Sequence, residues 1–167
     1  MTNSLNVDRI KEIISAVVGE ELSVDVNTTP VCITIPATKL LQVCEAIYKH
    51  PDFYLDTLSC LTGLDNGKET GTMEVVYNLY SIPFNHHLML KVVLPRENAA
   101  LDSVVSIWRT ANWQEREAFD MYGIVFNNHP DLRRILMPAD WEGYPLRKDY
   151  VQQEEYRGMT VKSEETS

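Results

Sequence analysis

The run Thr72-Met73-Glu74-Val75-Val76-Tyr77-Asn78-Leu79-Tyr80-Ser81-Ile82 sets Met73, Val75, Tyr77 and Leu79 on one side of an extended chain. Glu74, Val76, Asn78 and Tyr80 fall on the other. Successive side chains of a strand point to opposite faces, so a period of two describes a strand with one face in a core and one less apolar. Such a strand needs a sheet covered on one side by something else. On either side of it lie β-prone runs around residues 53–61 and 87–94, joined through Asp65-Asn66-Gly67-Lys68 and Pro83-Phe84-Asn85. Both linkers carry turn chemistry that suits antiparallel connections.

The covering layer is legible upstream. Asn6 caps a helix whose Val7, Ile10, Ile14 and Val17 share one face, and Gly19 ends it. Residues 22–26 and 31–35 form a hairpin about Asn27-Thr28-Thr29-Pro30. A second helix after Pro36 stripes Leu40, Cys44, Ile47 and Tyr48, and stops at His50-Pro51 because proline disfavours helix in the residue before it. A third helix is expected on Leu101, Val104, Val105 and Trp108. The order αββαβββα describes an α+β fold, a two-layer sandwich with a mixed sheet, followed by an extended C-terminal arm.

Composition bounds the function. The chain has 167 residues, 44% of them hydrophobic, with 24 acids against 15 bases for a formal charge of −9. That is enough for one domain with a core that needs neither metal nor disulfide staples. No apolar run reaches the roughly 20 residues of a membrane span. The opening MTNSLNVDRI lacks the basic and apolar regions of a secretion signal, so the chain is expected to stay where it is made. Cys32, Cys44 and Cys60 have no CxxC spacing and read as reduced core thiols. An acidic chain repels nucleic acid and anionic bilayers, which leaves a protein partner carrying patches of both signs.

Chemistry concentrates in Asn112-Trp113-Gln114-Glu115-Arg116-Glu117-Ala118-Phe119-Asp120-Met121-Tyr122-Gly123. Asn112 and Glu115 have capping-box spacing, and Gly123 suits the left-handed residue that ends a helix. Its charges, set among Trp113, Phe119, Met121 and Tyr122, need specific partners wherever they approach apolar surface. Beyond it Pro130, Pro138 and Pro145 interrupt any long element, while Ile135, Leu136, Met137, Trp141, Tyr144 and Leu146 show no period. The resulting division is a globular domain at 1–126, an extended partner-binding arm at 127–151 and a polar, flexible tail at 152–167. Ordering about 20 arm residues costs roughly 20–40 kcal/mol. Offsetting that requires on the order of 1,000 Å² of apolar contact, so the arm is expected to be completed by another molecule.

Simpler readings cover the remaining reactive side chains. Adjacent His86 and His87 point to opposite sheet faces and cannot readily share a metal ion. His129 before Pro130 suits a hydrogen bond to backbone where the arm departs. The Gly-Lys pair in residues 63–71 misses phosphate-loop spacing and reads as a hairpin loop. Glu115 and Glu117, two apart on a helix, do not face each other for acid-base work. The cysteines lack any local nucleophile scheme.

The string Glu115-Arg116-Glu117-x-x-Asp120-Met121-Tyr122-Gly123-Ile124-x-Phe126 resembles the signature of the respiratory complex I 30 kDa subunit family, whose members are designated C in bacterial NADH-quinone oxidoreductases. His129-Pro130-Asp131-Leu132-Arg133-Arg134-Ile135-Leu136-Met137-Pro138 and Asp140-Trp141-Glu142-Gly143-Tyr144-Pro145-Leu146-Arg147-Lys148-Asp149-Tyr150 continue the likeness. The resemblance implies a non-catalytic subunit in the peripheral arm of a proton-pumping NADH:quinone oxidoreductase. NADH, FMN, iron-sulfur clusters and quinone would belong to partner subunits, with no cofactor or metal on this chain. It implies packing beside the hydrogenase-derived subunit, designated D, and near the subunit that carries the terminal cluster, designated B. It implies membrane contact only through the complex, and a place on the cytoplasmic side of the inner membrane or the matrix side of a mitochondrion. The interface it implies comprises the motif residues Glu115, Arg116, Glu117, Asp120, Tyr122, Gly123, His129, Pro130, Arg133, Arg134, Pro138, Trp141, Tyr144, Pro145, Arg147, Asp149 and Tyr150. On this reading Arg133, Arg134 and Arg147 would meet partner carboxylates, and Trp141, Tyr144 and Tyr150 would be anchors. The alternatives are the same scaffold in a related membrane-bound hydrogenase or ferredoxin-linked dehydrogenase, and a free-standing metal hydrolase using His86 and His129.

Overall fold

The computed structural model describes residues 6–161. Three long strands, β3 (Thr57–Asp65), β4 (Thr72–Ser81) and β5 (His86–Pro95), form an antiparallel meander. The strand β2 (Cys32–Ile35) runs parallel to β5, and β1 (Ser23–Asp25) returns antiparallel to β2. The sheet order is β1-β2-β5-β4-β3, so the sheet is mixed, in keeping with the expected α+β class. The alternation in β4 holds along its whole length: Met73, Val75, Tyr77, Leu79 and Ser81 are buried while their neighbours are partly exposed.

Two helices cover that buried face. α1 (Val7–Val18) starts where the Asn6 side chain accepts a bond from the Arg9 N–H, and it ends at left-handed Gly19. It sets Ile10, Ile14 and Val18 into the core. A single 3-10 turn at Ala37–Lys39 leads into α2 (Leu40–Ile47), whose buried stripe is Leu40, Val43, Cys44 and Ile47.

The expected third helix on residues 101–108 does not form. Ala100–Asp102 is a short strand, β6, paired in parallel with β7 (Val125–Asn127), and the helix α3 begins only at Ala111 and runs to Tyr122. The reason is polar: Ser103 Oγ and the Val104 N–H both bond to the Glu115 carboxylate, which holds the chain in a turn. Leu101, Val104 and Trp108 are buried from that turn, and Trp108 donates its indole N–H to the Leu55 carbonyl at 3.2 Å. Helical spacing here arises from loop packing.

Three local corrections follow. Residues 53–55 precede the strand instead of starting it, although Phe53 and Leu55 are buried. A register shift between Leu58 and Cys60 turns both Ser59 and Cys60 to solvent, so Cys60 is exposed while Cys32 and Cys44 are core thiols as read. The tail forms a small hairpin, β8 (Glu155–Tyr156) with β9 (Met159–Thr160), where a frayed end was expected. The rest of the tail reading, residues 162–167, lies outside the described residues.

Candidate partner interface

The arm is held by its own domain. α3 packs over β3, and where it ends Tyr122 lies on Gly63 so closely that a Cβ there would sit 2.8 Å from the Tyr122 ring. Gly123 closes the helix with φ +74°, and its bare Cα face receives the Tyr144 ring. A Cβ at Gly123 would lie 2.5 Å from Tyr144 Cε2 and 2.9 Å from Arg147 Nη2.

Two buried carboxylates clip the arm at its ends. Asp120, fully buried on α3, accepts the successive N–H groups of Ile135, Leu136 and Met137 at 2.9, 2.7 and 2.9 Å on one oxygen. Its other oxygen takes Arg134 Nη1 at 2.7 Å. Burial works to raise its pKa, but these bonds prevail and hold it below the ordinary carboxylate value. At the far end Asp65, buried in β3, receives a two-pronged Arg96 guanidinium at 2.8 and 3.0 Å and the Lys148 N–H at 2.8 Å. Bonds to Arg96, and next to Lys148 and Gly67, depress it strongly against the opposing effect of burial. Arg96 also binds Asp149, whose pKa falls to about 2, first through that bond and then through Lys68.

Between the clips, Arg134 and Arg147 stack over the Tyr144 ring at 5.3 and 4.7 Å from its centroid. Arg134 also donates to the Gly143 carbonyl at 2.9 Å, and Arg147 to the Tyr122 carbonyl at 2.6 Å. Trp141 donates its indole N–H to the Tyr150 hydroxyl at 3.0 Å, and Tyr150 in turn lies against Gly143.

This corrects the expectation that the arm is loose until a partner binds. Its order comes from backbone-to-carboxylate bonds and arginine–aromatic stacks, which leave no apolar period for a reader to find. Arg134 meets Asp120 of its own chain, Arg147 meets a carbonyl, and Arg133 is exposed with Asp131 at 2.9 Å. Arg134 and Arg147 are thus engaged within the chain, while Arg133 keeps an exposed guanidinium beside exposed Asp131.

The other motif residues divide plainly. Arg116 lies beneath Trp113, 4.7 Å from its ring centroid, and donates to the Arg133 carbonyl at 3.2 Å. Asn112 does not cap α3, for the position before the helix is Thr110, which makes no side-chain cap bond. The capping-box partner Glu115 is instead fully buried, while Glu117 is exposed. His129 bonds backbone as its place before Pro130 suggests, with Nε2 at 3.1 Å from the Asn112 carbonyl and Nδ1 accepting from the Asp131 N–H at 3.0 Å. Pro130 and Pro138 are exposed and Pro145 half-buried.

Three large apolar side chains of the arm stay exposed among charged neighbours such as Arg133, Asp140, Glu142 and Lys148. Leu136 is 59% exposed, Leu146 52% and Val151 84%. A cavity of about 450 Å³ opens between Met137, Trp141, Pro145, Tyr150 and Gln152. Among the described residues, no three of His, Cys, Asp and Glu are grouped as a metal site, and no helix is long and apolar enough to cross a membrane.

Sequence reading missed Asp65, Arg96, Ser103 and Gly63. Asp65 precedes Asn66-Gly67 and looks like turn chemistry; only Arg96, 31 positions later, reveals it as a buried acceptor.

A family match covers this same ground. The family described as respiratory-chain NADH dehydrogenase, 30 Kd subunit, matches residues 33–156. The chain belongs to that family. A relative from Chloroherpeton thalassium, named as the NADH-quinone oxidoreductase subunit designated C, is 53% identical over 107 residues. The match covers 64% of this chain and 44% of the relative, so the chain spans under half of that relative's length. Its namesake in Geobacter sulfurreducens is 44% identical over 133 residues, covering 77% of this chain and 81% of its own. Among solved structures, a chain of the membrane-bound sulfane sulfur reductase, an archaeal respiratory membrane complex, shares the fold with a TM-score of 0.70 at 23% identity. That match covers 86% of this chain and 84% of the other.

Proposed function

We propose that this 30 kDa-family chain is a non-catalytic subunit of a proton-pumping NADH:quinone oxidoreductase, on the cytoplasmic side of the membrane, and that its arm docks on the hydrogenase-derived subunit close to the one that carries the terminal iron-sulfur cluster. The observation that carries the reading is that the arm is fastened to its own domain through Asp120 and Asp65 while Leu136, Leu146 and Val151 stay exposed. An ordered arm that leaves Leu136, Leu146 and Val151 uncovered, beside a cavity lined by Trp141 and Tyr150, suits a permanent interface. Electron carriers then reside on the partners, and this chain supplies position. Relatives that bear the name of an NADH-quinone oxidoreductase subunit favour this complex over a related hydrogenase or ferredoxin-linked assembly.

The test is amide exchange of the full chain with and without the hydrogenase-derived subunit. Slowed exchange at residues 136–151, with the sheet unchanged, is the expected result. Exchange that stays the same over the whole arm after a stable complex forms overturns the docking assignment, and co-purified hydrogenase subunits would reassign the complex.

A further inference from the structure

The helix α3 buries a second carboxylate that neither clip uses. Glu115 is fully buried, with Oε1 accepting the Val104 N–H at 2.8 Å and Oε2 accepting Ser103 Oγ–H at 2.6 Å. The His129 side chain, equally enclosed, places Nε2 3.9 Å from Glu115 Oε2. Among the described residues no arginine or lysine lies within ion-pair range of Glu115. A buried carboxylate without a cation favours its protonated form.

We infer that Glu115 and His129 form one buried site that holds a single proton, and that the whereabouts of this proton sets how firmly the root of the arm is fastened. The tautomer follows from the bonds: Nδ1 accepts the Asp131 N–H, so the neutral ring carries its proton on Nε2, toward the Asn112 carbonyl and Glu115. The shared proton has two places. On Glu115 it bonds Ser103 Oγ, and the Asp131 N–H keeps its acceptor. On His129 it occupies Nδ1, the imidazolium faces the carboxylate, and the Asp131 N–H loses its acceptor. Both arrangements are neutral overall; releasing the proton strands a negative charge, and adding a second strands a positive one.

The surroundings support a neutral pair. Burial pushes Glu115 up to about 7 against the pull of its two hydrogen bonds. Cys44 on α2 and Tyr77 on β4 face the same region, both raised by burial and so uncharged near neutrality. Arg116 turns away to the Arg133 carbonyl, with Asp131 at 4.0 Å.

Nuclear magnetic resonance titration of the full chain, following the Glu115 carboxyl carbon and the His129 ring, tests this directly. Glu115 should titrate well above the ordinary carboxylate range, and His129→Gln should move its midpoint by about half a unit or more. Glu115→Gln keeps both bonds, donating to Ser103 Oγ and accepting from Val104, but removes the carboxylate that favours an imidazolium, so the loss of Asp131 amide protection should move to lower pH than in the wild type; an unmoved loss overturns the sharing. A Glu115 midpoint in the ordinary range, in wild type alone, overturns the site whatever the variants do. A midpoint untouched by His129→Gln in a folded variant reduces Glu115 to a structural carboxyl and overturns the sharing.

Discussion

Asp120→Ala is the most informative single change. Four charge-assisted hydrogen bonds converge on this carboxylate, from three consecutive N–H groups and from Arg134. Hydrogen bonds to a charged group contribute about 1.5–3 kcal/mol each, but bonds sharing one acceptor do not add, and water can reach the released amides beside exposed Leu136. Removing the acceptor also leaves Arg134, only 14% exposed, without its counter-charge. The loss should therefore fall near the range for breaking a buried pair, about 3–5 kcal/mol. The loss is read in local exchange: amides 135–137 should lose roughly two to four orders of magnitude of protection. Arg134→Ala leaves the amide cradle intact and should cost less, about 1–3 kcal/mol. If Asp120→Ala costs under about 1 kcal/mol, or no more than Arg134→Ala, the carboxylate does not organise the arm and the reasoning fails.

Gly123→Ala must hold a left-handed φ and push Tyr144 aside, so it should cost roughly 2–3 kcal/mol and speed tryptic cleavage at Arg147 and Lys148; wild-type cleavage rates would refute the close packing. Asp65→Asn should raise exchange of the Lys148 amide by about tenfold or more while amides 135–137 stay protected, since the clips share no partners. Equal loss at both ends would show a single cooperative strap. Acid should release the arm: Asp120 and Asp65 have folded pKa values below the ordinary 3.8, so their contribution is full above that value and disappears as pH falls through the lower folded ones. Proteolysis by pepsin across the acid range checks this, with an arm released already at pH 5 as the contrary result.

The layered domain was readable because its signals are local. β4 alternates, α1 has its Asn6 and Gly19 caps, and Gly123 ends α3 as its position suggests. Where reading failed, a distant polar partner had redirected the chain. Leu101, Val104, Val105 and Trp108 mimic a helix stripe, yet Glu115 captures Ser103 and Val104 and forces a turn. The same capture removes Glu115 from the capping box that its spacing to Asn112 advertises. The motif block was legible as a family resemblance, but the partner of each charge was not: Arg134 gives no sign in sequence that Asp120 lies within reach.

The arm departs from the usual arrangement, in which backbone polarity is satisfied by helix or sheet. Here three amides in a row are satisfied by one aspartate, and Leu136 among them is left exposed. That prior order changes the energetics of the proposed docking. An arm ordered only by its partner would spend roughly 1–2 kcal/mol of the interface on each residue it fixes. An arm already clipped to its own domain brings that order with it, and nearly all of its apolar burial goes to affinity. On the proposed docking, residues that touch no partner would govern assembly: Asp120 and Asp65, buried within this chain, should influence the association as strongly as the exposed Leu136 and Val151 that would meet the neighbouring protein.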